Sequence, residues 1–95
     1  MVGHVNTYEN WVAGAKAITT AGTPEQITAT STPIKCIVIK AKAGNTGIVY
    51  VGNSNTTEVF ELSAKESITI PIDNLNKIWI DAAVNGEGVV YAYVW

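Results

Sequence analysis

"KIWIDAAVNGEGVVYAYVW", residues 77–95, is the stretch on which the fold reading turns. Ile78, Ile80 and Ala82 alternate with Lys77, Trp79 and Asp81. That period of two belongs to a strand with one face buried, so the isoleucines are expected inside and Lys77, Trp79 and Asp81 outside. Asn85-Gly86, within "VNGEG" (84–88), is the strongest short hairpin signal, and 89–95 is expected to pair back on 77–83. The last segment is apolar on both faces. Val89, Tyr91, Tyr93 and Trp95 share one, and Val90, Ala92 and Val94 share the other. A half-buried strand has one wet face, so the second face of this one needs a cover.

The same period runs back along the chain. "ESITIPI" (66–72) puts Ile68, Ile70 and Ile72 inward, and Pro71, which has no N–H, belongs at an edge or strand end. "VFELSA" (59–64) precedes it across a tight join at Lys65. "PIKCIVIKAKAG" (33–44) sets Ile37, Ile39, Ala41 and Ala43 opposite Cys36, Val38, Lys40 and Lys42. "AGNTG" (43–47) is turn chemistry and "GIVYVG" (47–52) a strand, so 34–52 reads as a hairpin. "NSNTTE" (53–58) is a polar loop and "EQITATS" (25–31) a further strand. About seven short strands, with a turn signal roughly every ten residues, predict an all-β fold: a small antiparallel β-sandwich or barrel.

Residues 1–24, "MVGHVNTYENWVAGAKAITTAGTP", lack this clear period. "NWVAGAKAI" has the makings of a short helix capped by Asn10, weakened by Gly14 at its middle. The segment reads as an N-terminal arm, extended or partly helical, leaving 25–95 as the β-domain. Trp11 either folds back onto its own domain or, with Tyr8, anchors the arm on a partner, since aromatic anchors dominate binding energy.

Composition narrows the function. A chain of 95 residues that is 47% hydrophobic and 15% charged is apolar for one small domain with a thin core. Small domains gain missing burial from disulfides, metals or association. The single cysteine, Cys36, excludes an internal disulfide, and a single histidine, His4, argues against structural zinc. Association is left. The net charge is −2 and arginine, the usual bidentate reader of phosphate and guanine, is absent, which argues against nucleic acid. No apolar run is long enough to span a membrane. The N-terminus lacks the basic start and apolar run of a secretory signal, so a cytosolic origin is expected, where a lone thiol stays reduced.

Catalytic groupings are not evident. His4 lies in the arm, Cys36 is expected to pack as a small hydrophobe, and the acids sit at strand ends and turns as solubilising residues. No calcium loop, phosphate cradle or paired carboxylates stand out. The expectation is a non-enzyme without metal or cofactor.

The aromatics say more. If Val90, Ala92 and Val94 pack inside, Tyr91, Tyr93 and Trp95 form an outer stripe, with Trp79 beside it. That stripe is then a subunit interface, where Tyr and Trp are enriched, or a sugar-stacking platform. With the faces reversed, the aromatics are core.

"GNTGIVYVGNSN" (44–55) and "LSAKESITIPIDNLNKIWIDAAVNGEGVVYAYVW" (62–95) resemble small structural proteins of tailed-bacteriophage particles. The shared features are a strand ending Tyr-Val-Gly-Asn-Ser, a Leu-x-x-x-Glu-Ser strand start and an Asp-Asn-Leu-Asn-Lys-Ile turn. The loop "NTTEVFEL" is shorter than the pattern, and the arm lies outside it. The resemblance implies a β-sandwich virion protein, made in the host bacterial cytoplasm. Its expected role is a head decoration (cement) protein bound across copies of the major capsid protein, or another capsid or tail accessory. It also implies a homo-oligomer, a trimer by analogy with three-fold capsid positions. A carbohydrate- or receptor-binding module of a fibre or tail is the competing expectation.

Overall fold

In the computed structural model, which describes residues 10–56 and 59–95, the chain is all-β apart from one 3₁₀ turn at Leu75–Lys77. Eight strands follow in order: β1 (Trp11–Ala17), β2 (Glu25–Gln26), β3 (Cys36–Ala41), β4 (Val49–Gly52), β5 (Phe60–Leu62), β6 (Ser67–Ile70), β7 (Trp79–Ala82) and β8 (Gly88–Val94). They form two four-stranded antiparallel sheets, ordered β1-β8-β3-β6 and β2-β7-β4-β5. The expected β-sandwich is present.

The pairings β1·β8, β2·β7, β3·β6 and β4·β5 are nested. The chain is one long antiparallel ribbon, wound so that alternate pairs fall in alternate sheets. That is the strand order of a jelly roll.

The winding corrects three local expectations. Residues 34–52 are not a hairpin, because β3 and β4 lie in different sheets. β8 does not pair back on β7, despite the Asn85-Gly86 turn. Its partners are β1 and β3. Among the described strands, the consecutive pair that shares a ladder is β4 and β5, across the polar loop. The tight turns are real: Glu66 N–H reaches the Ser63 carbonyl at 2.9 Å and Glu87 N–H the Val84 carbonyl at 3.2 Å. They carry the chain from one sheet to the other.

The arm is also corrected. Its described part holds β1, paired along its whole length with β8, and Ile18 is fully buried. The domain therefore begins before residue 25, and no helix forms at 10–18. "WVAGAKA" is a strand because β8 offers it a ladder; its small residues carry little propensity of their own.

The core lies between the sheets. Ile37, Ile39, Ala41 and Val89 of the first sheet meet Val49, Val51, Leu62, Ile80 and Ala82 of the second. Ile68, Ile70 and Ile72 pack against this cluster from the β6 side. The predicted inward faces of 66–72 and of the even positions of 77–83 hold, and of the four residues that the alternation of 33–44 sets on one face, Ile37, Ile39 and Ala41 are buried while Ala43, past the end of β3, is exposed. Gly88 is required where β8 meets β1, because a Cβ there would collide with the Lys16 carbonyl.

Candidate interaction surface

Register settles which side of β8 is inside. Tyr91 and Tyr93 pack against the core, their rings stacked with centroids 6.3 Å apart and 14° between planes. The expected outer stripe of Tyr91 and Tyr93 is thus reversed. The Tyr91 ring lies over Gly14 of β1, in the space that residue's missing side chain leaves. Trp95 follows just beyond β8, 52% exposed, lining a cleft with Val12, Pro33 and Tyr93. Trp79 is half-buried in the second sheet, opposite Gln26 and Gly52. It shares no surface with Tyr91 and Tyr93, so the four residues do not form one site. Tyr8, His4, Glu9 and Glu58 lie outside the described residues. Trp11 is on β1, 70% exposed.

The face left outside is the small one. Trp11 stands opposite Val94, Ala13 opposite Ala92 and Ala15 opposite Val90. On the other side of β8, the same three residues meet Cys36, Val38 and Lys40. Val38 and Val90 are 41% and 40% exposed. Ala13, Ala15, Val38, Val90 and Ala92 line a shallow trough of about 600 Å³ over β8, with Lys40 at one end. Cys36 sits half-buried on this face instead of inside the core. Sequence reading missed Ala13, Ala15, Val38, Val90 and Ala92 as surface. The signal was present in the alternation of 89–95, but both of its faces are apolar.

A second apolar opening lies between the edges of β5 and β6, about 220 Å³, lined by Val59, Phe60, Ile70 and Ile72. Phe60 and Val59 are about half exposed there.

Polar side chains in the structure tie loops together. Asp81, expected outside, is 2% exposed. Its Oδ1 accepts from the N–H groups of Gly22 at 3.0 Å and Ala82 at 2.8 Å, so the β1–β2 connection lies over it. Asn74 Oδ1 accepts from Thr32 N–H at 3.0 Å and Asn76 N–H at 3.1 Å, joining the 31–33 loop to the 3₁₀ turn. The Glu87 carboxylate accepts from Thr46 N–H and Oγ1, both at 2.8 Å, and from Gly47 N–H at 2.9 Å. Those backbone donors hold its pKa below the ordinary value, because they favour the charged form. Lys16 points inward from β1 and meets Glu25 of β2 at 2.9 Å, bridging the two sheets at one edge. Lys16, with help from Thr19 N–H, lowers the Glu25 pKa. Among the described residues, no three His, Cys, Asp or Glu side chains gather as a metal site.

Comparison with protein-family models, curated proteins and solved structures gave no match. The strand order and the outer face of the first sheet define a small jelly-roll sandwich with one apolar outer sheet face.

Proposed function

We propose that this chain is a non-enzymatic structural protein of a bacteriophage particle, a decoration protein that associates with itself and binds across subunits of the major capsid protein. The observation that carries the reading is the outer face of the β1-β8-β3-β6 sheet. Trp11, Val38 and Val90 stand exposed there around a floor of alanines. Monomeric soluble proteins rarely leave a contiguous apolar face uncovered, and such a face marks an interaction site. A sheet of alanine and valine gives a flat, stiff contact with few polar groups to satisfy. Many such weak contacts on a shell add by avidity. The jelly-roll order supports the reading by fold analogy only, since viral capsid and lectin domains both use it. The sugar-binding alternative draws less support, because it needs an outward aromatic platform and Tyr91 and Tyr93 face the core. The anchoring role moves from a free arm to Trp11 on the sheet.

The test adds purified protein to undecorated heads of the particle that encodes it. Binding with a rise in head thermal stability is expected, and Val90→Lys should abolish it while leaving the unfolding midpoint of the free protein nearly unchanged. Heads that neither bind the protein nor gain stability would overturn the proposal.

A further inference from the structure

We infer that two copies of this chain pair β1 against β1, antiparallel about a two-fold axis at Gly14, to make one continuous eight-stranded sheet. The inference deepens the self-association in the reading above and names its surface.

The argument begins with backbone groups. Asn10 accepts from Trp95 N–H at 3.1 Å, Ile18 donates to the Glu87 carbonyl at 2.9 Å, and Ile18 accepts from Gly86 N–H at 2.7 Å. Even-numbered residues of β1 therefore bond toward β8. By the period of two, Trp11, Ala13, Ala15 and Ala17 aim their N–H and C=O groups away from β8, at the edge that is free among the described residues. That edge is seven residues long and free of proline. The other edges are blunted: β2 has two residues and β5 three, and β6 runs into Pro71. Proteins protect sheet edges by shortness, proline or charge, and β1 alone among these four has neither brevity nor proline.

Its one charge, Lys16, points inward and is held by Glu25. An inward lysine on an edge strand commonly blocks pairing, so the register matters. Centred on Gly14, the pairing sets Ala13 opposite the partner's Ala15 and Trp11 opposite the partner's Ala17. Val12 then faces the partner's Lys16, and no two like charges meet. Every free-edge group of β1 is used, giving about eight inter-chain hydrogen bonds. The large indole of Trp11 lies beside a methyl group. The apolar outer faces of the two copies join into one surface, twice the area available for docking. The symmetry is two-fold, in place of the three-fold expected from the resemblance.

Light scattering on the full chain at sub-millimolar concentration should give twice the 10.1 kDa chain mass. Ala15→Pro should give a monomer, since Ala15 N–H is not part of the β1–β8 ladder and an edge strand tolerates proline there. Hydrogen exchange on the wild type decides even if that variant does not fold. In the concentrated sample, Ala13 and Ala15 amides should exchange about tenfold or more slower than in dilute monomer, while Val12, Gly14 and Lys16 stay protected in both. A monomer, a trimer, or an oligomer with unprotected Ala13 and Ala15 amides overturns the pairing. A dimer that binds no heads upholds it and sinks the decoration role; a monomer that binds heads does the reverse.

Discussion

The Tyr91 ring lies across Gly14 of the neighbouring strand: a Cβ at position 14 would sit 2.6 Å from the Tyr91 hydroxyl oxygen. Gly14 and Tyr91 are register partners in β1 and β8. The missing side chain of one is the space the other occupies. A glycine weakens a strand in isolation, and here the tyrosine packs over the gap it leaves.

Gly14→Ala should therefore destabilise the fold by about 1–2 kcal/mol through overpacking, although alanine is better placed than glycine in a strand. Combining it with Tyr91→Leu should cost less than the sum of the two single changes, because the clash is gone. Urea denaturation of the four proteins in a double-mutant cycle measures the coupling.

Asp81 holds the β1–β2 connection through Gly22 N–H. Asp81→Ala leaves two N–H groups without their acceptor, at a cost of about 1–3 kcal/mol. The Gly22 amide should also exchange faster than in the wild type. Unchanged exchange at Gly22 would show that this hydrogen bond does not hold the loop.

Lys65 has φ of 74°, a left-handed conformation that a side chain disfavours. It sits in the tight turn between β5 and β6, where Glu66 Oε1 also accepts from Ser63 N–H at 2.7 Å. Lys65→Gly should raise stability by about 0.5–1 kcal/mol, the relief of strain less the entropy of the freer unfolded chain. A raised midpoint in thermal or urea unfolding checks it.

Glu25, Asp73 and Glu87 all have lowered pKa values, through Lys16, Lys77 and the Thr46 and Gly47 backbone donors respectively. A depressed folded-state pKa means the unfolded chain takes up protons first as pH falls. The stabilisation is complete above the ordinary carboxylate range of about 4 to 4.5 and is lost as pH drops through the lower folded values. Urea midpoints should be flat from near neutral to about pH 5 and decline below that. Glu87→Gln should lower the midpoint at pH 7, with the gap to wild type narrowing toward pH 3. A gap that stays constant with pH would refute the carboxylate clasp.

What the sequence determined by itself was the alternation. Ile37-Ile39-Ala41 and Ile78-Ile80-Ala82 were legible as inward faces because burial in a strand repeats every second residue and needs no knowledge of the partner. Strand class and the turns at Lys65 and Asn85-Gly86 followed from the same local rules. Partner choice did not. A turn brings two strands close but cannot say whether they share a ladder or cross to the facing sheet, so β7 and β8 looked like a hairpin. β1 was missed because its small residues form a strand only when β8 supplies hydrogen bonds. The two apolar faces of 89–95 were equivalent on paper. Only the tertiary structure broke the tie, because the gap above Gly14 accepts a tyrosine ring. That choice left Val90 and Ala92, with Ala13, Ala15 and Val38, as the face turned outward.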